Sequence, residues 1–240
     1  EFSALPNNHF VHRTNYSFIG DVGAGIRALS GNISLDQIWP GKEPDLTRAA
    51  LLSAFPKTGD WGPAAIIDVC REVMPRESVA TVDTGAHRIL LAQQWECYAP
   101  RTLLQSTGLC TMGTAVPLAA GYKLAAPETP VIAFSGDAGL EMVLGELATL
   151  RDKNINFPIV VFADDSLALI EMKQRGNGMT NCGVDFGRTD FEGVAKAMGG
   201  KGKTVRSRTE LQDTLDEALN AASFTVISCP IGRKAYEGKI

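Results

Sequence analysis

Short apolar runs and longer segments of helical periodicity alternate along the chain from about residue 45 onward. Continuous apolar runs predict buried strands, and apolar residues spaced three or four apart predict helices. The predicted strands are Ser78–Val82, Val131–Phe134, Pro158–Phe162, Thr204–Arg206 and Phe224–Ser228. The predicted helices are Leu46–Phe55, Trp61–Met74, one that begins near Met112, Gly139–Arg151, Phe191–Met198 and Thr209–Ala221. Capping residues mark two of the helix starts, Asp60 for the second and a Thr189–Glu192 capping box for the fifth.

This alternation predicts an α/β fold, a parallel sheet with helices on both faces, whose ligand lies at the carboxyl ends of the strands. The beginning of the chain differs, with a short strand at Tyr16–Ile19, a short helix at Val22–Leu29 and a linker at Gly31–Pro44. We therefore predict two parts. Residues 1–44 are the end of another α/β domain with its linker, and residues 45–240 form one ligand-binding domain.

Composition and charge exclude several classes of protein. The net charge of -4, without a run of Lys or Arg, gives no reason to expect nucleic acid as a partner. Every apolar run is far shorter than the roughly 20 residues of a membrane span, and a signal-peptide pattern is absent, so we expect a soluble cytoplasmic protein. The five scattered cysteines predict reduced thiols in or near the core. His9 and His12 have no third ligand nearby and are interpreted as surface residues.

The most informative segment is Val131–Gly139, where a buried strand ends in a turn of small residues and a helix follows at once. Small residues and the free N–H groups of a helix start favour a phosphate at that point. Asp137 repels a phosphate unless a cation lies between them, and Mg²⁺ is the expected cation. The next strand ends at Asp164 and Asp165, which places a second oxygen ligand beside the first. The plainer alternative is that Asp137 only caps a helix.

Four segments resemble the signature of thiamine diphosphate (ThDP) enzymes of the acetolactate-synthase-like group. Gly136-Asp137-Ala138 followed by Asp164-Asp165 resembles the G-D-G…N-N pattern, and Glu146–Thr149 resembles the E-L-x-T that follows it. Upstream, Val82–His87 is similar to the D-x-G-x-H segment and Ser106–Gly113 is similar to the segment that ends in G-x-M-G. The resemblance covers about residues 45–233, and the first thirty residues resemble the tail of the family's middle domain.

The resemblance implies a role for individual residues. Mg²⁺ is expected on Asp137, Asp165 and the backbone oxygen of Leu167. Met112 is expected to hold the bent cofactor, the backbone of Cys110 to accept its amino group, and Ile170 to face its reactive carbon. The cofactor-binding residues that the resemblance implies are Gly85, His87, Cys110, Met112, Gly136, Ala138, Gly139 and Ile170.

Three positions depart from the family pattern. Asp165 replaces an Asn and adds a negative charge, and Ala138 replaces a Gly, so its φ must be negative or strained. Gln174 stands where acetolactate synthases usually carry a Trp that shapes the acceptor pocket. This third departure argues against acetolactate as the product.

The resemblance also implies a partner, because the family's catalytic glutamate belongs to a pyrimidine-binding domain outside these 240 residues. No catalytic residue is therefore assigned in this chain, which is expected to act in a homo-oligomer, a dimer or tetramer, on a 2-oxo acid or an acyloin. The expected activity is 2-oxo acid decarboxylation with carboligation, and a requirement for FAD stays open. The alternatives are an acyloin lyase, a cyclic diketone hydrolase and a non-catalytic assembly module.

Overall fold

The computed structural model describes residues 1–6, 13–31, 39–56 and 59–240. His9, His12 and residues 32–38 of the predicted linker lie outside the described residues. The chain divides into two compact units, Glu1–Ala49 and Ala50–Ile240. This division and the boundary predicted after residue 44 both lie within one helix, α2 (Glu43–Ala54).

The first unit contains two short parallel strands, β1 (Phe2–Ser3) and β2 (Phe18–Ile19), and the helix α1 (Val22–Ser30). The ring centroids of Phe2 and Phe18 stack 5.1 Å apart across the strand pair. The predicted strand and helix of this region are confirmed, although the strand is shorter than expected. Because β1 has only two residues, it left no pattern in the sequence.

The second unit is built on a six-stranded sheet in which every neighbouring pair of strands is parallel. Its strands are β3 (Val79–Val82), β4 (Leu103–Gln105), β5 (Val131–Gly136), β6 (Pro158–Ala163), β7 (Lys201–Thr204) and β8 (Thr225–Pro230). Their order across the sheet is β4-β3-β5-β6-β8-β7. The predicted fold class is thereby confirmed.

Helices cover both faces of this sheet. They are α3 (Pro63–Val73), α4 (Ala86–Gln94), α5 (Ala115–Ala125), α6 (Asp137–Glu141), α7 (Glu146–Asp152), α8 (Ala168–Gly176), α9 (Phe191–Ala197) and α10 (Arg208–Leu219). Side chains alternate between the faces of a strand. Ile132 and Phe134 accordingly join one buried apolar cluster, whereas Val131 and Ala133 join the other. Because all six strands are parallel, their carboxyl ends lie along the same edge of the sheet. The candidate site lies at this edge.

One predicted helix start and one predicted helix cap are wrong. The helix expected after Asp60 begins at Pro63, because proline is suited to the first helical position, and Gly62 precedes it. The expected capping box does not form, since Asp190 caps α9 by accepting a hydrogen bond from the Gly193 N–H at 2.9 Å. The Thr189 hydroxyl instead donates to Glu141.

Other differences have local causes. The helix predicted at 139–151 is two helices, α6 and α7, interrupted before Gly145. The strand predicted at 204–206 is β7, which begins earlier because Lys201 pairs with Thr225 of β8. Elements β4, α4 and α8 were not predicted. Of the cysteines, Cys70 and Cys229 are buried as expected, Cys110 is intermediate, and Cys97 and Cys182 are exposed.

In the described ranges, none of the helices has the length and apolar character that a membrane span requires.

Candidate cofactor site at the carboxyl edge of the sheet

A cleft lies at the carboxyl ends of β3, β5 and β6 and encloses about 540 Å³, including space open to solvent. Nine residues to which the resemblance assigned a role line it: Gly85, His87, Met112, Gly136, Asp137, Ala138, Gly139, Leu167 and Ile170. Five further lining residues stand out by their chemistry: Thr84, Phe162, Asp164, Ser166 and Tyr236. Two predicted site residues, Cys110 and Asp165, are not part of the lining.

Asp83, directly after β3, joins the segments that form one wall of the cleft. Its carboxylate is fully buried and accepts hydrogen bonds from four groups. Oδ2 receives the Gly113 N–H at 2.8 Å and the Ser135 hydroxyl at 3.1 Å, and Oδ1 receives the Gly136 N–H at 3.4 Å. The fourth group is His87 Nε2, at 2.8 Å. Asp83 therefore connects the ends of β3 and β5 to the start of α5.

His87 is oriented by this carboxylate. A carboxylate only accepts, so Nε2 carries the proton and Nδ1 is left for a ligand. The imidazole also stacks on Phe162, with centroids 5.4 Å apart. Its position is consequently fixed from two sides.

Asp137 begins α6 at the end of β5 and is buried in the cleft. Its Oδ1 accepts the Ala138 N–H at 2.8 Å. Its Oδ2 accepts two backbone N–H groups from the end of the neighbouring strand, Asp164 at 3.0 Å and Asp165 at 2.7 Å. These bonds fix the turns after β5 and β6 to each other and leave one lone-pair position on Oδ1.

Burial changes the acidity of two carboxyl groups in the cleft. Desolvation raises the pKa of Asp137 to about 6, with Asp165 adding a smaller rise. Desolvation and the neighbouring Asp137 raise the pKa of Asp164 to about 8. The Asp164 carboxylate accepts the Ser166 N–H at 3.2 Å and so caps the turn after β6. Asp164 is 5% exposed and lines the cleft.

The other two predicted metal ligands are engaged within the protein. Asp165 has a left-handed backbone with φ of 57°, and its carboxylate forms an ion pair with Arg188 at 2.6 Å. The Leu167 carbonyl accepts the N–H groups of Ile170 and Glu171 at the start of α8. In the described part of the chain, no group of three or more acidic, His or Cys side chains converges to hold a metal.

Two positions test the conformational expectations. Ala138 has a negative φ, so its side chain causes no strain there. Gly113 has φ of 76°, and an added Cβ would lie 2.8 Å from Val143 Cγ1 and 3.1 Å from the Gly139 carbonyl. The chain thus needs glycine at 113 and accepts alanine at 138.

Cys110 and Gln174 do not line the cleft. Cys110 has φ of 51°, and its Sγ accepts a hydrogen bond from Arg88 at 3.4 Å. The Gln174 amide exchanges two hydrogen bonds of 3.1 Å with the backbone of Cys182, which joins α8 to the loop after it.

Two hydroxyl groups in the cleft indicate that its residues fit a polar ligand. Thr84 Oγ1 and Ser166 Oγ are buried and have no hydrogen-bond partner among the described residues. A buried hydroxyl without a partner costs about 1–3 kcal/mol, which a ligand rich in oxygen atoms removes. With the carboxylate oxygens of Asp137, these groups suit a diphosphate accompanied by a cation such as Mg²⁺.

Several cleft residues were missed for different reasons. Asp83 lay inside a recognised segment, and its position at a strand end was the signal that pointed to it. Ser166 directly follows Asp165, the residue that the resemblance assigned to the metal, and this position was the signal that pointed to it. Tyr236 had no signal, because it reaches the cleft only after the chain leaves β8, where the Ile231 N–H bonds to the Ala163 carbonyl at 2.9 Å.

Comparisons with known proteins identify a family for this chain. Residues 83–229 match the family described as thiamine pyrophosphate enzyme, C-terminal TPP binding domain. A probable acetolactate synthase large subunit from Methanococcus aeolicus is 34% identical over 60% of this chain and 24% of its own length. A catabolic acetolactate synthase from Raoultella terrigena is 28% identical over 89% of this chain and 40% of its own length.

A crystal structure of benzoylformate decarboxylase from Polynucleobacter necessarius superposes with a TM-score of 0.65, at 23% identity, over 71% of this chain and 33% of the other. This likeness concerns the fold. The chain spans less than half the length of these relatives. The family match covers more than half of this chain, and the chain therefore belongs to the thiamine pyrophosphate enzymes through their C-terminal TPP-binding domain.

Proposed function

We propose that the cleft binds the diphosphate of ThDP through Mg²⁺, within an enzyme that decarboxylates a 2-oxo acid and joins carbon atoms. The observation that carries this proposal is Asp137. Its carboxylate is buried at the end of β5, and desolvation raises its pKa to about 6. A cation in the cleft would offset that cost by favouring the ionised form.

The residues of this chain bind and position the cofactor in the proposal. Asp137 holds the cation with Asp165 and the Leu167 carbonyl, and the turn Gly136–Gly139 binds the diphosphate. Thr84 and Ser166 supply hydroxyl donors, which have no partner among the described residues. The side chains of Met112 and Ile170 line the cleft and shape the space for the cofactor rings.

Bound ThDP would supply the thiazolium carbon that adds to the substrate carbonyl and accepts the electron pair left when carbon dioxide departs. The glutamate that activates ThDP would come from a pyrimidine-binding domain in a homo-oligomer. We also propose a cytoplasmic location for this enzyme.

Asp137→Ala tests the metal role. We expect calorimetric titration to show Mg²⁺-dependent ThDP binding in the complete protein and its loss in this variant, because the cation loses its buried carboxylate. The control is Asp213→Ala, an exposed residue of α10 outside the cleft. Unchanged binding in Asp137→Ala would contradict the assignment.

A second candidate is a different ThDP activity, acyloin cleavage or cyclic diketone hydrolysis. The observation that favours it is Gln174, whose amide is engaged with the Cys182 backbone in place of a large acceptor-pocket side chain. Pyruvate consumption measured against acyloin cleavage separates these activities. Tight ThDP binding without any turnover in the complete assembly would favour the non-catalytic module.

A further inference from the structure

The carboxylate of Asp165 is held by a guanidinium group. Arg188 Nε lies 3.2 Å from Oδ1 and 3.1 Å from Oδ2, and Nη2 lies 2.6 Å from Oδ2. Both carboxylate oxygens therefore accept from the same side chain. Such a bidentate pair is stronger and more directional than a single contact.

The backbone of the loop that carries Arg188 is fixed against the Asp165 turn. The Leu167 N–H donates to the Val184 carbonyl at 2.7 Å, and the Phe186 N–H donates to the Asp165 carbonyl at 3.3 Å. The Thr189 hydroxyl then bonds to Glu141 of α6. Hydrogen bonds of Phe186 on one side and Thr189 on the other therefore fix the backbone at Arg188. Its side chain is held close to Asp165 by this backbone.

The ion pair has two consequences for the cleft. First, it holds the Asp165 carboxylate outside the lining, although the Asp165 N–H bonds directly to Asp137 at 2.7 Å. Second, it neutralises the negative charge that Asp165 carries where the resemblance expects a neutral Asn. A divalent cation that binds Asp165 shares these oxygens with the positively charged guanidinium, which weakens the attraction between the carboxylate and the cation.

We propose that Arg188 is a positioning residue that competes with the divalent cation for the Asp165 carboxylate and so sets the cation affinity of the cleft. This inference rests on the proposed function. It assigns a role to a residue that no motif of the sequence singled out, and the role depends on the acidic residue at 165.

A double-mutant cycle tests the competition. Mn²⁺ binding is measured by electron paramagnetic resonance in the complete protein with ThDP present, for the unchanged protein, Arg188→Gln, Asp165→Asn and the double variant. We expect Arg188→Gln to tighten Mn²⁺ binding by about fivefold, the strength of a partly exposed ion pair. In the Asp165→Asn background the same change should alter the affinity by less than about twofold.

Two further variants separate the contact from the charge. Arg188→Lys keeps the charge but loses the bidentate contact, so an intermediate tightening is expected. Arg233→Gln removes a charge that pairs, at 3.3 Å, with Asp185. Asp185 lies in the same loop as Arg188. The Arg233→Gln variant should change Mn²⁺ affinity by less than about twofold.

The outcomes distinguish this inference from the proposed function. Mn²⁺ binding that is equally tight with and without Arg188, or equally affected by Arg233→Gln, overturns the role of Arg188 and leaves the cofactor assignment intact. The same effect of Arg188→Gln in both backgrounds at 165 overturns it as well. Absence of ThDP-dependent Mn²⁺ binding from the unchanged protein and from Arg188→Gln overturns both proposals.

Discussion

The two sides of the cleft treat their buried carboxylates differently. On the β3 side, Asp83 accepts four hydrogen bonds from Gly113, Ser135, Gly136 and His87. On the β6 side, Asp164 accepts one backbone N–H from Ser166 and lies near Asp137, and its pKa is raised to about 8. The carboxylate on the β3 side has its hydrogen-bond donors within the protein, whereas the carboxylate on the β6 side accepts a single backbone N–H.

This difference separates structure from binding. A buried carboxylate with several donors stabilises the fold, since each donor offsets part of the desolvation cost. Buried carboxyl groups with raised pKa values, next to a hydroxyl without a partner, indicate a site where a bound ligand would offset the desolvation cost of these groups. Three experiments sharpen or break this comparison.

The largest effect is expected at Asp83. Asp83→Ala leaves the Gly113 and Gly136 N–H groups, the Ser135 hydroxyl and His87 Nε2 without their acceptor. We expect a loss of about 3–5 kcal/mol in the free energy of unfolding, the range for breaking a buried charged network. Urea unfolding measures it.

The control for Asp83→Ala is Asp152→Ala, which removes an exposed ion pair with Arg151 and should cost less than about 1 kcal/mol. If Asp83→Ala costs no more than this control, the β3 side is not the structural wall that the hydrogen bonds indicate.

The second effect is the pH dependence of stability without metal or cofactor. Asp164 has a pKa of about 8 in the folded state and an ordinary value of 3.8, so the folded state binds the additional proton. Stability is therefore greatest at low pH within this window and falls as the pH rises through 8. Between pH 6 and 8 we expect a fall of about 2 kcal/mol, at most about 1.4 kcal/mol per pH unit.

Asp164→Asn removes the titrating group and should flatten the unfolding free energy between pH 6 and 8, measured in urea with EDTA present. The fall below pH 6 should persist, because the pKa of Asp137 is about 6. A fall of the same size above pH 6 in the variant would show that Asp164 is not its source.

The smallest effect is expected at Ser166. Because its hydroxyl has no partner within the described residues, Ser166→Ala should leave the unfolding free energy unchanged or raise it by about 1 kcal/mol. Affinity for ThDP with Mg²⁺ should fall by about threefold to tenfold, the loss of one hydrogen bond.

Ser78→Ala is the matched control for Ser166→Ala. Its hydroxyl is equally buried and also has no partner in the described part of the chain, but it precedes β3 and does not line the cleft. Ser78→Ala should change the unfolding free energy by about as much as Ser166→Ala does, and it should leave the calorimetric ThDP affinity unaltered. A fall in affinity in both variants would mean that Ser166 does not contact the ligand.

The sequence predicted the sheet and the segments at its carboxyl edge because the buried strands are long apolar runs and the motifs follow them directly. The predicted strand at 204–206 began three residues too late, because Lys201–Thr204, which forms β7, contains no apolar run. The resemblance assigned Asp165 to the metal, but the Asp165 side chain is not part of the cleft lining. Its direction depends on the left-handed backbone of Asp165 and on Arg188, which lies 23 residues away in the chain.

The lining of the cleft is complete only when both β3, the first strand of the six-stranded sheet along the chain, and β8, the last, are in place. Thr84 follows β3, whereas Tyr236 follows β8 and is buried against the same space. Contacts between segments so far apart in the sequence form late, because a long loop has to close before they are made. A growing polypeptide therefore cannot complete the lining of this cleft before residue 236 has left the ribosome, and a complete cleft requires that the entire sheet has folded.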